Sequence, residues 1–98
     1  MTRVLAQAVH YPHPEHHADL VAAMQGNYAA TAGLEGLESI GGFEDTAGGR
    51  LVAISLWSSM EHFQAGMAVL GAAIADVPFH LWERRPSEMT VMPEIPRP

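Results

Sequence analysis

One stretch constrains this chain more than any other, RLVAISLWSSMEHFQAGMAVLG, from Arg50 to Gly71. Its first part, Leu51 to Trp57, is apolar except for Ser55 and rich in strand formers, which predicts a fully buried strand. At Ser58 the pattern changes. Ser58 and Glu61 stand at capping-box spacing, in which hydroxyl and carboxylate each satisfy a free backbone N–H at a helix start. Met60, Phe63, Met67, Leu70, Gly71 and Ile74 then recur at three- and four-residue steps, one face of a helix. A buried strand therefore runs straight into an amphipathic helix, with Trp57 at the joint, and the other elements must be placed around that module.

Taken in order, Val4 to Tyr11 reads as a strand whose two faces are both mostly apolar, ended by Pro12. His13-Pro14-Glu15 starts a helix with proline at the first position, and Leu20, Val21, Met24 and Tyr28 mark its buried stripe. Gly33 falls where a helix C-cap is expected. Leu37 to Glu44 reads as a second strand, bulged at Gly41-Gly42, and Thr46 to Gly49 as the turn that joins it to Arg50–Trp57. The second helix is expected to reach about Ala75, with Gly66 and Gly71 as weak points, and to close at Asp76-Val77-Pro78. Phe79 to Arg85 reads as a connecting loop, Ser87 to Met92 as a last strand, and residues 93–98, with three prolines, as an extended tail.

The order β-α-β-β-α-β predicts an α+β, ferredoxin-like domain over residues 1–98: one antiparallel sheet with two helices on one face. Ninety-eight residues hold one core. With 48% hydrophobic and only 16% charged residues, the chain has more apolar surface than so small a domain conceals, and the bare sheet face is expected to meet a second copy in a homodimer or a ligand. Five basic residues against eleven acidic ones leave no basic stripe for nucleic acid. The absence of cysteine removes disulfides and thiolate chemistry. No apolar run approaches a membrane span, and MTRVLAQAVHYPHP lacks the hydrophobic core of a signal peptide, so a cytoplasmic location is expected.

With these elements in place, the chain resembles the antibiotic-biosynthesis monooxygenase family of dimeric α+β barrels. LVAISLWSSMEHFQAGM looks like that family's strand ending in Trp-x-Ser followed by a Glu-x-Phe helix, with Trp57, Ser58, Glu61 and Phe63 carrying the match. GLEGLESIGGFEDTAGGR resembles the family's second strand and hairpin. The resemblance implies a small-molecule site beside Trp57 and a homodimer. The haem-degrading branch uses an Asn on the first strand, a Trp one turn after the Phe, and a His ligand further along. Here the first strand has no Asn, Gly66 stands one turn after Phe63, and Asp76 lies where the His is expected, so that branch is rejected. The polyketide-oxygenase branch, which works without metal or flavin, keeps the Trp but has an Asn where Ala53 stands and a Tyr where Phe63 stands. The resemblance thus implies a cofactor-independent monooxygenase-like protein acting on a small aromatic or polyketide-like molecule. The alternative is a non-catalytic ligand-binding or structural dimer of the same fold.

The candidate residues follow from these strands. Ala53 and Ser55 share a strand face with Trp57 and are small enough to leave a cavity with Trp57 as its wall, while Val52, Ile54 and Leu56 are expected to face the helices. The competing reading makes Trp57 a core or interface residue. His10 on the first strand and His80 in the Phe79–Arg85 segment are candidate bases. In the same segment Trp82 is a candidate wall or lid and Arg84 a candidate anion partner. Gln7, a lone amide on an apolar strand, is a candidate hydrogen-bond donor, and Phe63 a substrate contact. His13, His16 and His17 diverge around a helix start and are not expected to hold a metal, and His62 is expected in solvent.

Overall fold

Two strands distant in sequence form the centre of the sheet. Strand β1 (Val4–His10) runs antiparallel to β3 (Arg50–Trp57), with Val4 opposite Trp57, Ala6 opposite Ser55, Ala8 opposite Ala53 and His10 opposite Leu51. The computed structural model describes residues 2–98. Strand β2 (Leu37–Asp45) pairs with the outer edge of β3, and β4 (Glu88–Pro93) with that of β1, both antiparallel. The order β2-β3-β1-β4, with helices α1 (His17–Thr31) and α2 (Met60–Ala73) inserted between the strands, is the ferredoxin-like α+β arrangement. A 3₁₀ turn, Pro14–His16, leads into α1, and a short helix, α3 (Phe79–Trp82), precedes β4.

The core lies between the sheet and the helices. Val4, Ala6 and Trp57 form one buried cluster, closed by Phe63, Met67 and Leu70 of α2. Leu20 and Met24 of α1 form a second with Leu51, extended by Phe79 and Trp82. Leu20 and Trp57 are completely buried, and each such side chain contributes roughly 1.5–3 kcal/mol by leaving water. Leu51, Ala53, Ser55 and Trp57 therefore face the helices, and Val52, Ile54 and Leu56 face away, the reverse of the expected assignment. Bulk explains the inversion. Leu51 and Trp57 are buried against the helices at the two ends of this face, and the small Ala53 and Ser55 between them leave room for the side chains of α1 and α2.

Three local expectations also change. The capping box at Ser58 and Glu61 does not form: the Ser58 N–H donates to the Gly36 carbonyl (2.8 Å) and its hydroxyl to Glu38 (3.0 Å). Ser59 takes the cap position in extended conformation and accepts from the His62 N–H at 3.2 Å. His62 is consequently not in solvent; its ring bonds Ser59 (2.8 Å) and covers Gly36, where a Cβ would come within 2.2 Å of Cγ. The irregularity in β2 lies between Leu37 and Ser39, whereas Gly41 and Gly42 pair in register with Ile54 and Ala53. Gly42 is there for clearance, since a Cβ would stand 2.9 Å from Met24 Cε and 3.0 Å from the Tyr28 hydroxyl.

The sheet face away from the helices is largely apolar. Phe43 is 61% exposed, Met92 lies on the same face, and Leu5, Val52, Ile54 and Leu56 are half-buried between them. At one edge Arg3 bonds Glu94 (3.1 Å) and Glu38 (3.2 Å), and this guanidinium holds the Glu94 carboxyl below its ordinary range. No helix among the described residues is long and apolar enough to cross a membrane.

Gly66 gives the packing a signed test. Glycine in a helix interior costs about 1 kcal/mol relative to alanine, yet a Cβ at Gly66 would lie 2.1 Å from Trp57 Cη2. Gly66→Ala is expected to destabilise by about 1–3 kcal/mol through overpacking. Gly26→Ala in α1, with nothing within 4 Å of the added carbon, is expected to stabilise by up to about 1 kcal/mol. Urea unfolding midpoints check both signs, and a stabilised Gly66→Ala would refute this account of the strand-to-helix contact.

Candidate functional site

Between the helices and the sheet lies a cavity of about 320 Å³, a size suited to a small ligand. Its floor follows from the register. Ala8 of β1 pairs with Ala53 of β3, and in the next row Ala6 pairs with Ser55, so four small side chains stand together at the sheet centre. Met24 and Tyr28 of α1, and Met67 and Leu70 of α2, line the sides. Most of this lining is apolar, and its polar groups are few.

His10 stands at one end. Its Nδ1 lies 3.2 Å from Oε2 of Glu83, a carboxylate with only 4% of its side chain exposed. The other carboxylate oxygen, Oε1, accepts the Tyr11 N–H at 2.8 Å. Tyr11 to His13 and Trp82 to Arg84 run alongside each other, with His13 N–H donating to the Trp82 carbonyl (2.8 Å) and Arg84 N–H to the Tyr11 carbonyl (2.9 Å). This short pairing fixes Glu83 beneath the imidazole. Phe79 stacks on the ring at 5.6 Å with planes 17° apart. A carboxylate accepts and does not donate, so the neutral imidazole keeps its proton on Nδ1 and leaves Nε2 with a lone pair. Held in this way, His10 is equipped to take a proton from a bound molecule.

Ser55 is a further polar residue of the cavity wall, which also carries Asn27, Tyr28, Ser87 and Glu88. It is 8% exposed, and its Oγ accepts the indole N–H of Trp57 at 2.8 Å. Trp57 itself does not line the cavity. It is packed at the end of β3 between the sheet and α2, beyond Ala6 and Ser55, edge-on to Phe63 with ring centres 6.2 Å apart.

Of the residues singled out from the sequence, the structure brings His10, Ala53 and Ser55 together around one space. Trp57 and Phe63 pack beside the cavity, in the core between the end of β3 and α2. Gln7 lies on the opposite sheet face, between Ile54 and Thr90. His80 is exposed on α3, and Trp82 packs against the Leu20–Leu51 cluster and stacks on His16 at 6.1 Å. Arg84 reaches the hairpin turn, bonding the Gly48 and Gly49 carbonyls at 3.1 and 3.3 Å. Strand alternation turns Gln7 away from the cavity, and in the Phe79–Arg85 segment His80 faces outward, Trp82 the core and Arg84 the hairpin turn. Among the described residues no three His, Cys, Asp or Glu side chains group closely enough to hold a metal.

Sequence reasoning missed Glu83, Tyr28 and Phe79. Glu83 left one signal, as the only acid in FHLWERR. Its partner lies 73 residues away, and only the folded topology joins them.

No protein-family model matches the chain, and no curated protein matches it in sequence. Solved structures share its fold throughout. Rv0793 from Mycobacterium tuberculosis superposes with a TM-score of 0.84 at 22% identity, over 97% of each chain. A protein from Caulobacter crescentus, provisionally named an antibiotic biosynthesis monooxygenase, gives a TM-score of 0.80 at 14% identity, over 97% of this chain and 92% of that one. A structure named antibiotic biosynthesis monooxygenase gives 0.76 at 17% identity, over 98% of this chain and 100% of that one. At these identities the likeness establishes a common fold, and it agrees with the resemblance carried by Arg50–Gly71.

The carboxylate contact has a spectroscopic consequence. In Glu83→Gln an amide replaces a pure acceptor, and the His10 ring is expected to shift from a single Nδ1–H tautomer to a mixture, read by ¹⁵N–¹H multiple-bond NMR. Glu83→Ala also strands the Tyr11 N–H and is expected to cost about 1–3 kcal/mol. An unchanged tautomer in Glu83→Gln would show that the carboxylate does not orient the ring.

Proposed function

We propose that the protein is a cofactor-independent monooxygenase-like enzyme whose cavity receives a small aromatic or polyketide-like molecule. The observation that carries this reading is the His10–Glu83 pair at the edge of a largely apolar space. The common fold with structures named antibiotic biosynthesis monooxygenases supports it.

The chemistry follows from the residues. An anthrone or hydroquinone is itself electron-rich and needs only to lose a proton. His10 Nε2 accepts that proton, and Glu83 stabilises the imidazolium through Nδ1–H. With anthrone, the carbanion left at the ring carbon gives its electron pair to O₂ and forms a C–O bond. Loss of water from the resulting hydroperoxide yields the quinone, so one O₂ is consumed for each ketone and water formed. The small floor residues keep the ring close to the sheet and exclude water from the anion. Trp57 supports this site from one side, where β3 meets α2, and Ala53 contributes to the floor.

The functional unit in this reading is a homodimer formed across the apolar sheet face that carries Leu5, Phe43, Val52, Ile54, Leu56 and Met92. A second reading, ligand binding without turnover, is favoured by one observation: Ala53 and Phe63 occupy positions where the oxygenase pattern has polar side chains.

Oxygen uptake with a panel of anthrones and hydroquinones, under metal- and flavin-free conditions, separates the two. Turnover above the spontaneous rate is expected, reduced by about 10²–10⁴-fold in His10→Ala. Saturable binding with no turnover would leave the binding reading alone. For the dimer, light scattering is expected to give the mass of two chains for the native protein and of one chain for Ile54→Lys. A native protein of one-chain mass would refute the assembly.

A further inference from the structure

We infer that Ser55 is a carbonyl-recognising donor whose proton is aimed by Trp57, so that the cavity selects ring ligands bearing a hydrogen-bond acceptor over isosteres without one. This inference rests on the proposed ligand class and adds the feature that the ligand must carry.

Ser55 and Trp57 are two residues apart on β3 and share the helix-facing side of the sheet. The indole N–H donates to Ser55 Oγ at 2.8 Å, and neither side chain is open to bulk solvent. An indole nitrogen donates and cannot accept. The serine hydroxyl therefore cannot turn its own proton back toward Trp57, which removes one of its rotor positions. Among the described residues Ser55 Oγ has no other hydrogen-bond partner, and Ser55 lines the cavity. The remaining donor is thus available to an acceptor placed in the cavity. Accepting the indole N–H also polarises the O–H bond and makes it a better donor.

The location gives the donor a partner in the chemistry. Ser55 lies on β3 and His10 on β1, with the Ala8–Ala53 pair in the row between them. A planar ring lying over those two alanines presents one edge to each polar group. The matching molecule has a proton to lose on one edge and a carbonyl or phenolate oxygen on the other, and negative charge from the first accumulates on the second. Ser55 stands where that oxyanion develops. Trp57 touches no ligand and is a positioning residue that acts through Ser55.

The test compares anthrone with 9,10-dihydroanthracene, which has the same three-ring outline and no carbonyl. Native protein is expected to bind anthrone about tenfold more tightly and to shift its carbonyl stretch to lower frequency in the infrared difference spectrum. Ser55→Ala is expected to bring the two affinities together by weakening anthrone alone and to abolish the shift. Trp57→Phe, which removes the indole N–H and frees the rotor but shortens the ring that meets Gly66, is expected to retain a smaller shift, its fold checked by circular dichroism. Ser55→Ala leaves the indole N–H unpaired, so the double variant Ser55→Ala/Trp57→Phe, lacking both partners, serves as the folded control and is expected to behave like Ser55→Ala. An equal carbonyl shift in native and doubly substituted protein would overturn the inference while leaving oxygenation intact. Discrimination without oxygen uptake would retain the inference and overturn oxygenation. If neither probe binds saturably, both fall.

Discussion

The contact between Trp57 and Gly66 sets the distance between the sheet and α2. An indole at the end of β3 meets a helix position with no side chain, and the helix settles directly on the ring. That approach determines how far Met67 and Leu70, one turn on, stand from the sheet, and therefore how much space is left above Ala6, Ala8, Ala53 and Ser55. The same indole spends its N–H on Ser55. One residue thus anchors the helix, packs beside the cavity, and fixes a hydroxyl at its wall. The floor at Ala8 and Ala53 lies two rows away from Trp57 and contributes only its smallness.

The chain order of the elements was legible because it rests on local signals. The β3–α2 joint, the hairpin at Thr46–Gly49 and the first helix all follow from periodicity, glycine and proline placement over short windows. The orientation of β3 was not legible. Leu51-Ala53-Ser55-Trp57 and Val52-Ile54-Leu56 are both acceptable core faces, and the choice depends on what α1 and α2 bring from elsewhere in the chain. The cap failed for a similar reason. Ser58 has the right spacing to Glu61, but its N–H is already bonded to Gly36 and its hydroxyl to Glu38, so Ser59 begins the helix. Competition from a distant partner is invisible in a pattern read four residues at a time.

Site residues divide along the same line. His10, Ala53 and Ser55 lie on predicted strands, and alternation grouped Ala53 with Ser55 on one face without showing which layer that face meets. Phe79 and Tyr28 reach the cavity, and Glu83 reaches His10, only through tertiary pairing, and Glu83 depends on a two-stranded contact that no single segment announces. Conversely, the aromatic and basic character of Phe79–Arg85 drew attention to His80, Trp82 and Arg84, whose side chains serve the core and the hairpin turn. Arginine and tryptophan are large enough to stabilise a connection by themselves, so their presence in a loop is weak testimony to chemistry.

The pairing of small residues across β1 and β3 has a consequence for how such a protein diversifies. Ala6, Ala8, Ala53 and Ser55 take part in the ladder through their backbones, and the shape of the chamber is set by what projects from them. Exchanging one methyl for a larger or smaller group there alters which outlines are admitted without altering a single interstrand bond. Identity of the architecture and identity of the guest are therefore written in separate alphabets. Relatives can diverge far in sequence, keep the same scaffold, and each hold a different molecule.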